Sequence, residues 1–233
     1  MKKLFRKTFT LKETRCKIAA DQKSGIITAV KSIKHHREQL EQYGKEKPKF
    51  FWSLKPVPIP QQPLVAKLMA EAAASAKVGP MAAVAGVLAD LAVKDMLADG
   101  CKTAIVENGG EVSAVSDEPV DVAFAAGDEP LSKKFCFRLT EFPAGIGTSS
   151  GRFSHALSFG DAEAATVFCK TAGLADAAAT AVCNVIKGDN VEEAITRGIE
   201  VAKTIRGVEG VFILYRNGVG TWGKVPEFVK IKP

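Results

Sequence analysis

Within the alanine-rich stretch TAGLADAAATAVCN, residues 171 to 184, an acid at Asp176 and a hydroxyl at Thr180 stand four residues apart. On a helix that step places two side chains on one face, about one turn apart. A carboxylate and a hydroxyl so arranged suit magnesium, which takes one or two protein carboxylates and completes its shell with water and phosphate oxygens. Ala172, Ala175, Ala177, Ala178, Ala179 and Ala181 leave room for a nucleotide or another backbone to come close. A purely structural reading stays open: an acid can answer the dipole at a helix start, and a threonine can bond back to a carbonyl.

Three glycine-containing turns are the next candidates: VGPMAAVAG at 78 to 86, ENGG at 107 to 110 and GTSSG at 147 to 151. Glycine lets a ligand approach the backbone, and a helix start favours anions. Gly79, Asn108, Gly109, Gly110, Ser149, Ser150 and Gly151 are therefore the cofactor-binding candidates, although none of the turns is a Walker A loop or a strand-linked GxGxxG. His155 is the candidate general acid or base, because histidine titrates near neutrality. Cys183, three residues past Thr180 and roughly on its face, is the candidate reactive thiol; a buried structural cysteine is the alternative.

These residues need a scaffold. FTLKETRCKIAA, 9 to 20, reads as a strand or pair of strands, and GIITAVKSIKHHREQLEQYG as a helix with His35 and His36 on its polar face. KPKFFWSLKPVPIPQQP, 47 to 63, is an ordered extended connector: prolines 56, 58 and 60 forbid a helix, and Phe50, Phe51, Trp52 and Leu54 call for burial, in the core or in a homo-oligomer. Two helices follow, broken at VGP and stopped at Gly100. KTAIVENGGEVSAVS, PVDVAFAAG and KKFCFRLT read as a strand meander, PAGIGTSSGRFSHALSFGDAEA as a long loop, and ATVFCK as a strand leading into the Asp176 helix. Asn190 and Glu193 have capping-box spacing ahead of a further helix, and a hairpin around Asn217-Gly218 closes the chain. The order is consistent with two similar halves, roughly 1-145 and 146-233, sharing one core.

The 233 residues are 46% hydrophobic and 25% charged, an ordinary globular composition. The run AAVAGVLADLAV, broken by Asp90, falls well short of the roughly 20 residues that span a bilayer. No membrane partner is expected, and the absence of a secretory signal pattern points to the cytoplasm. Five widely spaced cysteines without CxxC, beside three histidines, fit reduced thiols better than disulfides or zinc. Residues 1 to 60 hold 15 Lys and Arg against 5 Asp and Glu, yet no nucleic-acid motif accompanies them, so a solvated basic face is the expectation.

ADAAAT at 175 to 180 resembles the ADxxAT motif of the ApbE flavin transferases, which move FMN from FAD onto a threonine or serine of a target protein. NGG at 108 to 110, TSSGRFSH at 148 to 155 and AGVLAD at 85 to 90 are similar to further motifs of that family, in the same order. The stretch from KPKF to KPVPIP extends the likeness to a shorter ApbE-like subfamily of archaea and anaerobic bacteria. The resemblance implies an α+β fold, T-fold-related, of two related halves with antiparallel sheets and packed helices. It further implies magnesium on Asp176, Thr180 and the backbone carbonyl of Ala82, and FAD or FMN as the phosphate-bearing ligand. Departures are evident: Ala85 stands where the transferases carry a lysine, SFGDAEA replaces their DPxTG-like segment, and their N-terminal Met-Gly-Thr segment has no counterpart. Two further implications are a non-flavin role in anaerobic sulfur assimilation and homocysteine synthesis, with Cys183 as the thiol, and a binding protein that kept the fold without catalysis.

Overall fold

A computed structural model describes residues 4–123, 135–151 and 159–230. The chain begins with a hairpin of β1 (Phe5–Leu11) and β2 (Thr14–Ala20), then the long helix α1 (Lys23–Glu46) and the single turn α2 (Lys49–Trp52). Helix α3 (Leu64–Ala76), a 3-10 turn (Pro80–Ala83) and α4 (Val84–Ala98) lead to strands β3 (Ala104–Asn108), β4 (Glu111–Val115), β5 (Val120–Ala123) and β6 (Phe135–Leu139). After β7 (Ala144–Ser149) and β8 (Ala164–Cys169) come α5 (Ala172–Val185), α6 (Val191–Thr204), β9 (Val208–Tyr215), β10 (Gly218–Gly223) and β11 (Glu227–Lys230). This is an α+β fold.

Eight strands form one antiparallel sheet in the order β1-β2-β3-β4-β7-β8-β9-β10, and β11-β6-β5 form a second, smaller sheet. Strand alternation sorts the two faces. Cys16, Ile18 and Ala20 pair with Asn108, Val106 and Ala104, and these residues face the helical layer with Ile26, Ile33, Val93 and Met96. On the opposite face Val112, Ile146, Phe168 and Phe212 meet Phe137 of the small sheet, whose ring lies 5.0 Å from Phe168 and 5.7 Å from Phe212. The centre of the large sheet is thus buried between helices and the small sheet, which is why β8 and β9 read as continuous apolar runs rather than alternating ones.

Several sequence expectations need correction. The predicted loop from 143 to 164 contains β7, disguised because it alternates glycine where strands usually carry branched side chains. A Cβ on Gly145 would lie 2.1 Å from the Thr171 carbonyl carbon, and one on Gly147 would lie 2.4 Å from the Ala175 carbonyl carbon. Only glycine lets this strand lie directly under α5. In the last hairpin the turn residues are Arg216 and Asn217, since Gly218 already pairs with Tyr215. A Cβ on Gly218 would meet Val191 at 2.5 Å, and the Arg216 N–H is held by the buried Glu163 carboxylate at 2.6 Å.

His36 is buried rather than on the polar face, with Nδ1 3.2 Å from Gln39 Oε1, and burial lowers its pKa; His35 is exposed. Phe50 is buried as expected, but Trp52 is 80% exposed. Asn190 Oδ1 accepts the Glu193 N–H at 3.2 Å, capping α6 as its spacing predicts.

Candidate functional site

Helices α4 and α5 cross at two glycines. A Cβ on Gly86 would lie 2.2 Å from the Ala172 carbonyl oxygen, and one on Gly173 would lie 2.5 Å from Val87 Cγ2. At this crossing each helix caps the other. Asp90 of α4 accepts the Ala172 N–H on Oδ1 at 2.9 Å and the Gly173 N–H on Oδ2 at 2.8 Å, filling the first turn of α5. Asp176 of α5 accepts the Gly86 N–H on Oδ2 at 3.0 Å, and the nearby Ala85 N–H favours its charged form. Neither helix is capped by its own preceding residue, so these carboxylates satisfy donors that the helix starts would leave orphaned.

The sheet supplies the floor. Asn108 and Glu111 flank the two-residue turn Gly109-Gly110, whose φ values of 69° and 121° favour glycine. Asn108 Nδ2 donates to the Ala85 carbonyl at 3.0 Å. The Ala85–Gly86 peptide is thus held at both ends, its N–H by Asp176 and its carbonyl by Asn108. Along the helix-facing side of β4 and β7 lie Glu111, Ser113, Gly145, Gly147 and Ser149; the Ser113 hydroxyl acts to lower the Asp90 pKa and the Thr148 N–H that of Glu111. Ser149 Oγ is buried without a hydrogen-bond partner.

Electrostatically the cluster is one-sided. Burial raises the Asp176 pKa well above the usual carboxylate value, the charges of Glu111 and Asp90 raise it further, and the Gly86 and Ala85 N–H groups oppose the shift. Asp90 is raised by burial against its own N–H partners. Glu111 is pushed up to about 7, by burial first and then by Glu107, against the N–H bonds it accepts. Among the described residues, no lysine, arginine or histidine is one of the main groups acting on these three carboxyls.

That imbalance has a measurable consequence without any ligand. Glu111 ionises near 4.5 in the unfolded chain but holds its proton to about pH 7 when folded. Its contribution is therefore fully present below the unfolded pKa and is lost as pH rises through the folded one. In magnesium-free buffer, urea denaturation should show stability falling between about pH 4.5 and 7, and Glu111→Gln should flatten that slope. An unchanged slope in the variant would contradict the assignment.

Thr180 lies one turn beyond Asp176, 9% exposed. Thr196 and Thr204 bond back to helix carbonyls, whereas among the described residues the Thr180 hydroxyl makes no such bond. Its oxygen is uncommitted. Ala82 lies in the 3-10 turn that opens α4 and packs on α5.

Other candidates have local explanations. Gly79 is needed because a Cβ there would lie 1.8 Å from the Ser53 carbonyl oxygen. Gly151 donates to the Ala162 carbonyl at 3.0 Å, and Ser150 Oγ to the same carbonyl at 3.3 Å. His155 lies outside the described residues. Cys183 is fully buried in the helical core, and all five cysteines are buried and outside any disulfide, so the reactive-thiol candidate has no solvent-facing sulfur. A shallow depression on α6, lined by Asn190, Glu192, Glu193, Thr196 and Arg197, contains none of the candidate residues.

The residues that sequence reasoning missed are Glu111 and the capping role of Asp90. A signal existed for Glu111: it directly follows a two-residue Gly-Gly turn and so stands opposite Asn108. Among the described residues no three His, Cys, Asp or Glu side chains converge as a metal-binding group. Magnesium does not require one.

A family profile described as AbpE bacteria matches residues 2–206. The chain belongs to this ApbE-like family. UPF0280 proteins are similar across nearly the whole length. That of Methanocaldococcus jannaschii is 38% identical over 231 residues, covering 97% of this chain and 93% of the relative. That of Methanopyrus kandleri is 40% identical over 226 residues, covering 95% and 92%. Among solved structures, the apo flavinyl transferase ApbE of Pseudomonas stutzeri matches with a TM-score of 0.62 at 15% identity, over 95% of this chain and 94% of that one. The ApbE protein of Thermotoga maritima matches with a TM-score of 0.58 at 13% identity, over 95% and 97%. At such identities the likeness to solved structures is one of ApbE fold.

Proposed function

We propose that this ApbE-like protein binds a flavin nucleotide through its phosphates, with magnesium, at the Asp176 and Thr180 face of α5. The observation that carries this reading is the pairing of a carboxylate cluster with no cationic partner among the described residues and, one turn from Asp176, a Thr180 hydroxyl that makes no hydrogen bond among them. The donor set fits magnesium. Asp176 would supply the carboxylate, Thr180 the hydroxyl and Ala82 a backbone carbonyl, leaving positions for water and phosphate oxygens. Bound magnesium supplies neutralising charge at phosphoryl oxygens and orients a leaving group.

The chain's own residues do the positioning. Asp176 is anchored by the Gly86 N–H, and Asn108 steadies the same Ala85–Gly86 peptide through its carbonyl. Asn108 therefore acts through the backbone of α4 in this reading, while Gly109 and Gly110 shape the turn beside it. Ser149, with its buried and unpartnered Oγ, is the group best placed to gain a partner from a ligand. Ala85 stands where the transferases carry lysine, so phosphate affinity would depend on the metal and on backbone donors rather than on a lysine side chain.

Calorimetric titration with FAD, FMN and ADP, each with and without magnesium, tests the reading. Magnesium-dependent binding of FAD is the expected result. Binding of ADP but not FMN would locate recognition on the adenylate half. Failure of all three to bind under either condition would overturn the proposal.

A further inference from the structure

The connector between α2 and α3 has a surface that the nucleotide site does not use. Phe50 is buried with its ring 5.2 Å from Tyr43, and Phe51 occupies the space that a side chain at Gly44 would fill. With these two rings turned inward, the next residue faces out: Trp52 is 80% exposed, followed by Leu54 at 57% and Ile59 at 46%. Lys45, Lys47, Lys49 and Lys55 surround this projection, all exposed, and among the described residues none forms an ion pair. The nearby acid, Glu46, accepts a hydrogen bond from Gln42 at 3.0 Å.

Tryptophan suits a surface that is wet on one side and apolar on the other. Lysines beside it are drawn to anionic headgroups, and their stems can lie along apolar surface while their charges stay in water. Prolines at 56, 58 and 60 remove every second N–H from the extended segment, which lowers the cost of entering a poorly hydrated layer. The same prolines leave one edge of the segment without N–H donors for strand addition. Val57 packs back against the helical core, so a groove that grips a proline-rich helix would find one side already occupied.

We propose that this connector is a peripheral docking surface for an anionic lipid membrane, with Trp52 and Leu54 entering the headgroup region and the four lysines facing lipid phosphates. It requires no spanning segment. No single helix among the described residues is long and apolar enough to cross a bilayer, and the sequence expectation of no membrane partner rests on that criterion.

The test uses the full chain with vesicles of phosphatidylcholine alone and of phosphatidylcholine with phosphatidylserine. Co-sedimentation only with the anionic vesicles, a blue shift of tryptophan emission, and loss of binding on raising salt are expected. Trp52→Ser, and separately Lys47→Glu with Lys49→Glu, should each weaken partitioning about tenfold or more while circular dichroism stays unchanged. No binding by the wild type, or undiminished binding by folded variants, would overturn the proposal. So would Trp52-dependent self-association without lipid, or Trp52-dependent retention on polyglutamate in place of vesicles, which would reassign the surface to a second copy or to an acidic protein.

Discussion

Gly147→Ala is expected to destabilise the protein by about 3 kcal/mol or more, at the upper end of overpacking effects. The added methyl would sit 2.4 Å from both the Ala175 carbonyl carbon and the Asp176 nitrogen. Both are backbone atoms of α5, so no side-chain rotation relieves the overlap, and the helix must lift from β7. Lifting it would also move Asp176 away from the Gly86 N–H. Gly110→Ala is the control: its Cβ meets nothing within 4 Å, and the strain comes only from a φ of 121°, a cost on the order of 1–3 kcal/mol. Urea denaturation of both variants measures the difference. If Gly147→Ala cost less than about 1 kcal/mol, α5 would not be seated on β7 as described.

Asp176→Asn should separate binding from folding. The amide oxygen can still accept the Gly86 N–H, while the variant removes a charge that burial, Glu111 and Asp90 all disfavour. Without ligand its stability should equal or exceed that of the wild type. Magnesium-dependent nucleotide affinity should nevertheless fall about a hundredfold, equivalent to ~2.7 kcal/mol, because the carboxylate ligand is gone. Asp90→Asn should do the reverse. Both Asp90 oxygens accept N–H groups, so an amide there turns one acceptor into a donor aimed at a donor, costing about 1–3 kcal/mol of stability. If Asp176→Asn destabilised the chain as much as Asp90→Asn, the two acids would be equivalent caps and the metal assignment would lose its main support.

What the sequence made legible was local. The Asp176 and Thr180 face follows from helical periodicity, the Asn190 cap from its spacing to Glu193, and the Gly109-Gly110 turn from its two glycines. The less legible features depend on partners distant in the chain. Strand β7 carries glycine at alternate positions because α5, more than 20 residues later, lies against Gly145 and Gly147, and glycine in isolation reads as loop. Asp90 looks like an interruption in an apolar helix until the first turn of α5 is placed against it. His36 is buried because α4 packs on α1, although its neighbour His35 is exposed. The sequence calls for burial of Trp52 with Phe50 and Phe51 in the core or in a homo-oligomer; within the chain only two of these three consecutive aromatics turn toward Tyr43 and Gly44.

The most direct test of the central claim is electron paramagnetic resonance of manganese, a spectroscopic substitute for magnesium, titrated with wild-type protein and Asp176→Asn in the presence of FAD. Loss of the free manganese signal with the wild type, but not with the folded variant, is the expected result. Equal depletion of free manganese by both proteins, or depletion by neither, would contradict a metal-assisted nucleotide site at Asp176.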